Sequence, residues 1–399
     1  MAKERIGILG GTFDPFHQGH LQMARAALDG GHLDRLLVVP AADDAYKPCI
    51  LGKEDRWKMT VIACTQDDRL IPSRLEIDGP GPAFTVDTLR ALRKEHPKAH
   101  LFYILGADGV MKLRGWRQLQ DVFSLCSFLI CPRVGDVSPV DFHQELAALR
   151  AMGGRFTMIR MEPFTVSSTQ IRDQLLSGFP TPGLSYPLRE FILLKGLYGT
   201  QARLERAGEW INCLFAALNP RRFAHSLSVA AYSRHLARLY GVDPRQAEEA
   251  GILHDCAKCL PMKEMRRIAI DHSLTDDPTV LESNALLHSL AGAWLARDQY
   301  GMTDPEVLQA IAYHNTGHPG MSRLDMCICL ADSIEPTRGS YPQLEQIRVV
   351  AELSLERALL MSLQGTADYV RQRGKYLHPR TQETIAWLQT LPEVRGQKK

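Results

Sequence analysis

The sequence predicts two folds in succession, a parallel-sheet α/β domain and then an all-α helical bundle. Three observations carry this. The chain has 399 residues, and a single core rarely grows past about 250–300 residues. Short apolar runs alternate with helical patterns through the first half, as in a sheet covered by helices on both faces. The second half has almost no strand signal, yet eight of the fourteen histidines lie after residue 200.

In chain order, strands are expected at Arg5–Leu9, Arg35–Val39, Leu101–Leu105, Phe128–Cys131 and Phe156–Met161. These runs are rich in the aliphatic and aromatic residues that suit a pleated, buried surface. Helical spacing falls between them at Leu21–Leu28, Lys53–Thr65, Thr85–His96 and Trp116–Ser124. Gly178–Pro187 is the densest Gly/Pro stretch, and Leu188–Leu197 beyond it reads as a helix closed by Gly199. The second half predicts helices near Leu204–Leu218, Arg222–Tyr240, Pro244–Leu253, Lys263–Ile270, Ala285–Gln299, Pro305–Tyr313, Ser322–Ile334, Leu344–Leu363 and Gln382–Thr390. Asp243-Pro244 with Gln246 has the form of a helix start: a capping side chain, proline at the first position and a capping-box residue. No internal repeat or low-complexity tract is evident.

Composition excludes several classes. A chain with 45% hydrophobic and 23% charged residues is not largely disordered. Forty-seven basic residues nearly cancel forty-five acidic ones, with no polybasic tail, so a nucleic-acid polymer is not an expected partner. A local basic pocket for a phosphorylated metabolite stays open. The longest apolar stretch, around Val122–Cys131, is half of the ~20 residues a membrane span needs. No apolar leader separates Met1–Arg5 from the strand at Ile6–Leu9. A soluble cytoplasmic protein without a membrane partner is therefore expected, and the sequence admits a homo-oligomer. Nine cysteines, an odd number, argue against a disulfide framework. Cys256/Cys259 and Cys327/Cys329 could together bind zinc, but buried thiols are the expected reading.

Two groups of residues carry chemistry in the first half. Strand Ile6–Leu9 runs into Gly10-Gly11-Thr12-Phe13-Asp14-Pro15-Phe16-His17-Gln18-Gly19-His20 and then a helix. Glycines allow close approach of backbone to phosphate, and a helix N-terminus adds donors and partial positive charge. His17 and His20, three apart, share a helix face. Later, Ser167-Ser168-Thr169-Gln170-Ile171-Arg172 opens another helix. Ser and Thr there are usually caps. Paired with the H-x-G-H turn, three hydroxyls, free amides and Arg172 make a polyphosphate cradle.

These segments resemble the nucleotidylyltransferases, and residues 1–199 are similar to nicotinate-nucleotide adenylyltransferases. Phe84-Thr85-Val86-Asp87-Thr88-Leu89, Leu105-Gly106-Ala107-Asp108, Trp116, Pro132-Arg133 and the tail Lys195-Gly196-Leu197-Tyr198 carry the likeness. That tail moves the expected boundary to Gly199–Arg203, giving domains 1–199 and 203–399. The resemblance implies a Rossmann-like fold in which a mononucleotide 5′-phosphate attacks the α-phosphorus of ATP, releasing pyrophosphate. Nicotinate mononucleotide would be the acceptor. His17, His20 and Lys47 would be catalytic, and Gly10, Gly11, Thr12, Phe13, Ser167, Ser168, Thr169 and Arg172 would hold the ATP phosphates. Asp108 would bind the ATP ribose region; Thr85, Trp116 and Arg133 would contact the pyridine nucleotide. Mg²⁺ would bridge the triphosphate. The family's P-P-H-K segment reads Asp44-Ala45-Tyr46-Lys47 here, with tyrosine for histidine. Pantetheine-phosphate adenylyltransferase shares the H-x-G-H turn but lacks the F-T-x-D-T and G-A-D segments.

The second half carries an ordered set: His225, His254-Asp255 after an apolar run, His288, His314 and Asp332. A lone histidine is usually a packed core residue, and His235 and His272 are expected to be ordinary. Two adjacent ionisable residues after an apolar run need a partner such as a metal. Imidazoles mixed with carboxylates suit iron, manganese or zinc. His225-Ser226-Leu227, His254-Asp255-Cys256-Ala257-Lys258, His314-Asn315-Thr316-Gly317 and Ala331-Asp332-Ser333-Ile334-Glu335-Pro336-Thr337-Arg338 resemble HD-domain symmetrical bis(5′-nucleosyl)-tetraphosphatases. The resemblance implies cleavage of diadenosine tetraphosphate to two ADP by a metal-activated water. His225, His254, Asp255 and Asp332 would hold the metal, iron first, with Asp255 counted as catalytic. Lys258, His288, His314, Ser333 and Arg338 would contact phosphates, and His288 and His314 could instead complete a second metal position. A rival expectation is a non-catalytic nucleotide sensor that regulates the first domain.

Overall fold

The computed structural model describes residues 3–42, 49–79, 84–131, 138–162, 164–374 and 376–395. The chain divides into two compact units. One is Met1–Arg189 with Gly196–Thr200; the other is Glu190–Lys195 with Gln201–Lys399.

The first unit is built on six parallel strands: β1 Arg5–Gly11, β2 Arg35–Pro40, β3 Leu70–Pro72, β4 His100–Leu105, β5 Ser127–Ile130 and β6 Phe156–Met158. Their order is β3-β2-β1-β4-β5-β6. Ile8 on β1 lies opposite Leu37 of β2 and Tyr103 of β4, so β1 is central and its aliphatic side chains are fully buried. Strand order reverses between β1 and β4. In such sheets the crevice beyond the carboxyl ends at that point is the ligand site.

All five expected strands are present, and β3 is an additional edge strand of three residues, too short to show a period. The helix expected over Trp116–Ser124 starts later, at Leu119–Leu125, because Gln118 is left-handed with φ 52°. Two further helices are Ala107–Lys112 and Pro139–Ala151. The second buries Phe142, Leu146 and Leu149, a helical spacing that was open to reading.

The second unit is helical throughout its described residues. The single helix expected over Leu344–Leu363 is two, Pro342–Ala351 and Leu355–Gln372. Ser354 breaks the run by accepting the Arg357 backbone N–H as a cap. Asp243 caps its helix through the Arg245 N–H at 2.8 Å. Gln246, however, donates to Asp304 and Glu306 rather than back to Asp243. The expected capping box is not formed; the Gln246 side chain is turned toward these acidic groups instead. The core gathers Val229, Leu236, Cys327, Leu330, Ile334, Leu359 and Leu363. Among the described residues, no helix is long and apolar enough to cross a membrane.

None of the nine cysteines forms a disulfide. Cys256 and Cys327 are buried, and burial pushes both thiols up to about 12. Cys329 is buried as well, but Cys259 is exposed, so the expectation of buried thiols fails at that position.

Candidate functional site

β1 ends in Gly10-Gly11 at the switch point. A Cβ on Gly10 would run into the Tyr103 hydroxyl on β4, so only glycine allows this approach. The chain turns through Phe13, left-handed at φ 48° and buried, and His17 caps helix Gln18–Gly30. The His17 backbone N–H donates to His20 Nδ1 at 3.2 Å. The two imidazoles stack with centroids 3.7 Å apart, and Phe13 and Phe16 pack against His20 at 5.1 and 5.2 Å.

Helix Ser168–Leu176 meets this turn. Ser167 caps it by accepting the Gln170 N–H. Ser168 Oγ donates to the Pro15 carbonyl at 3.1 Å. Arg172 donates to the Asp14 carbonyl at 2.7 Å and to Thr169 Oγ1 at 3.2 Å. The two expected phosphate segments are thus one constellation, with Gly10, Gly11, Thr12, Phe13, His17, His20, Ser167, Ser168, Thr169 and Arg172 drawn together. Asp108 is exposed in the first turn of Ala107–Lys112, just beyond β4. Thr85 opens helix Thr85–Glu95. Trp116 stands edge-on to Tyr103 at 5.3 Å, beside the Gly10 end of β1. Lys47, Tyr46 and Arg133 lie outside the described residues.

In the second unit, His225, His254, Asp255, His288, His314 and Asp332 converge from five helical segments. Ligand atoms of His225, His254 and Asp332 lie within 4.8 Å of one another, as do those of His254, Asp255 and His314. Neither group contains a cysteine. The His254 and His314 Nδ1 atoms sit 2.6 and 2.8 Å from the Gly251 and Ile311 carbonyls. A carbonyl only accepts, so each Nδ1 carries the proton and each Nε2 turns its lone pair inward. The structure therefore sets His314 with the candidate ligands, beside His288 at 3.1 Å.

The electrostatics fit a cation. Burial would raise the Asp255 carboxyl, but His254 and His288 draw it well below the ordinary carboxylate range. Asp332 behaves likewise, with His225 and Arg338 outweighing burial. Burial pushes His314 down to about 3, helped by His254 and His288, so its imidazole is neutral. His254 Nε2 and Asp255 Oδ1 are buried and make no hydrogen bond among the described residues, an expensive state unless a cation satisfies them. Two imidazoles and two carboxylates are a donor set for iron, manganese or zinc.

Lys258 Nζ lies 3.0 Å from His288 Nε2 and 4.0 Å from Asp255 Oδ1, and burial lowers its pKa. Arg338 donates to Asp332 Oδ1 at 2.7 Å. Ser333 donates back to the Cys329 carbonyl of its own helix. His314, Asp332, Ser333 and Arg338 line a cavity of about 670 Å³ that runs on to Tyr341 and Tyr369.

Sequence reasoning missed four contributors. Glu335, 1% exposed, accepts from His225 Nδ1 at 2.9 Å while His225 Nε2 faces Asp332 at 2.9 Å. A carboxylate behind a ligating imidazole orients it and raises its basicity. Arg222 donates to Asp255 Oδ2 at 2.6 Å. In the first unit, fully buried Arg56 donates to the carbonyls of Thr12, Ala41, Ala42 and Leu51, bracing the phosphate turn. Tyr198 bonds Asp14. Only Arg56 left a signal, since it falls on the buried face of its helix with Met59, Thr60 and Ala63.

Comparison with known proteins agrees with this division. Residues 8–174 match the cytidylyltransferase-like family model, and residues 222–337 match that of the HD domain. A Mycoplasma genitalium protein named "Probable nicotinate-nucleotide adenylyltransferase/Ap4A hydrolase" is 26% identical over 379 residues, 92% of this chain and 99% of its own length. A probable nicotinate-nucleotide adenylyltransferase of Synechococcus sp. is 38% identical over 178 residues, 44% of this chain and 85% of its own. Among solved structures, a "predicted HD superfamily hydrolase involved in NAD metabolism" of Clostridium acetobutylicum is 36% identical. It covers 45% of this chain and 95% of its own, with a TM-score of 0.44. The fold and matches define a nucleotidylyltransferase-type domain followed by an HD domain. Through the first, the chain belongs to the nicotinate-nucleotide adenylyltransferase family.

Proposed function

We propose that the chain is a two-site enzyme divided near residue 200. The first domain would transfer AMP from Mg²⁺-ATP to nicotinate mononucleotide, and the HD domain would split diadenosine tetraphosphate symmetrically into two ADP.

In the first reaction an oxygen of the acceptor 5′-phosphate forms a bond to the α-phosphorus as the α–β bond breaks and pyrophosphate leaves. No protein nucleophile is needed, so catalysis rests on positioning and charge stabilisation. His17 and His20 would face the α-phosphate; Ser168, Thr169, Arg172 and the helix amides would hold the β- and γ-phosphates. Lys47 would add positive charge. Thr85, Trp116 and Arg133 would contact the pyridine nucleotide, and Asp108 the ATP ribose. The observation that carries this is the single constellation formed by the H-x-G-H turn and helix Ser168–Leu176 at the switch point.

In the HD domain, His225, His254, Asp255 and Asp332 would hold a divalent transition metal, which would supply Lewis acidity and a more acidic water. Glu335 fixes the His225 ring. Lys258, His288, Ser333 and Arg338 would bind phosphate oxygens along the cavity, with His314 beside them. The carrying observation is that His254 Nε2 and Asp255 Oδ1 are buried without a hydrogen bond in residues that belong to the candidate ligand groups.

Both assays on one preparation, with metal analysis, test these readings. Deamido-NAD and pyrophosphate are expected from nicotinate mononucleotide plus ATP, and ADP alone from diadenosine tetraphosphate. Turnover of phosphopantetheine but not nicotinate mononucleotide would overturn the first. Tight dinucleotide binding without turnover in metal-loaded protein would replace the second with a sensor.

A further inference from the structure

We propose that Tyr198 is a positioning residue for adenylyl transfer, its hydroxyl setting the Asp14-Pro15-Phe16-His17 turn from the tail segment Gly196–Thr200. This rests on the activity proposed for the first domain.

Four observations converge. The Tyr198 hydroxyl donates to Asp14 Oδ1 at 2.6 Å, with both residues buried. The other Asp14 oxygen accepts the Ile50 N–H at 2.7 Å, and the Asp14 carbonyl accepts from Arg172 at 2.7 Å. The residue three before His17 is thus held by three separate segments, one of them the tail. Tyr198 itself is left-handed, φ 58° and ψ 30°, between the left-handed glycines Gly196 and Gly199. A bulky residue there is strained, and such strain persists only where surrounding contacts enforce it, typically at functional sites. Burial and the nearby Asp14 charge raise the phenol's pKa, so it stays a donor across the working pH range. Tyr198 and Asp14 are both buried, so the effect would pass through the turn to the imidazoles.

Tyr198→Phe removes the hydroxyl and keeps the ring. Because small misplacements of catalytic groups slow reactions steeply, kcat should fall between about tenfold and a hundredfold. KM for ATP and nicotinate mononucleotide should stay within about twofold, and Tm should fall by a few degrees because Asp14 Oδ1 loses its buried donor, leaving the protein folded at the assay temperature. The ¹³C-labelled ring signals of His17 and His20, assigned with His17→Ala and His20→Ala, should shift in Tyr198→Phe. An active wild type with unchanged variant kcat overturns the proposal, as does a loss of rate matched by loss of folded protein. If wild type makes no dinucleotide, the activity proposed for the domain fails instead. The ring signals then decide the positioning role alone, and unshifted signals overturn it.

Discussion

The H-x-G-H turn and the HD cluster solve opposite problems. Around Asp14 and Pro15 the polar groups already have partners: Arg172 and Ser168 donate to the main-chain carbonyls, and the Ile50 N–H donates to the Asp14 carboxylate. On the proposed reading, that region is a finished mould whose helix amides and imidazoles would receive an anion it does not need for its own integrity. Around Asp255 the side chains are crowded, charged and partly unbonded, and their pKa values are pulled far from ordinary ones. On the proposed reading, the HD cluster would be completed by a cation. One site is held by hydrogen bonds within the fold, and the other would be held by its ligand.

The sharpest way to break this contrast is a crossed pair of variants. Asp255→Ala should lower diadenosine tetraphosphate hydrolysis by about a thousandfold or more, since a metal ligand is lost, and leave adenylyl transfer unchanged. His17→Ala should do the reverse, lowering adenylyl transfer by about 10²–10³-fold with hydrolysis intact. Loss of both activities in either variant would end the separation. A milder probe is Glu335→Gln, which keeps the shape behind His225 but removes its charge. Metal affinity should fall about 10–100-fold, read by competition with a chelator, with no change in ATP handling. The smallest effect lies away from both sites, where Glu190 and Glu248 share Arg203, with Arg234 close by. Burial and the Glu190 carboxylate raise Glu248 to about 8 against the pull of both arginines. The folded chain then keeps a proton that the unfolded chain releases near 4.5. Stability should be full below that pH and fall as pH rises toward about 8. Tm against pH should show this slope, at about 2–4 °C per kcal/mol for a domain of this size, and Glu248→Gln should flatten it.

Most of the architecture was legible because its signals are local. Aliphatic runs marked five strands, and contiguous motifs marked the H-x-G-H turn and the HD pair. What stayed hidden acts across the fold: His225 and Glu335 are 110 positions apart, Tyr198 and Asp14 184. No spacing rule joins residues so distant. The break at Ser354 was also missed, because one capping hydroxyl outweighed an otherwise continuous helical pattern.

The exchange of short segments at the junction has a practical consequence. Gly196–Thr200 belongs with the first unit, while Glu190–Lys195, earlier in the chain, belongs with the second. A protease cutting after Arg189 would strip Tyr198 from the phosphate turn. One cutting after Thr200 would leave the first half carrying Phe191, Ile192 and Leu194, buried side chains of the other unit. No single scission yields two whole halves. The two units are interleaved in sequence, so a cut between residues 189 and 201 takes a segment from at least one of them.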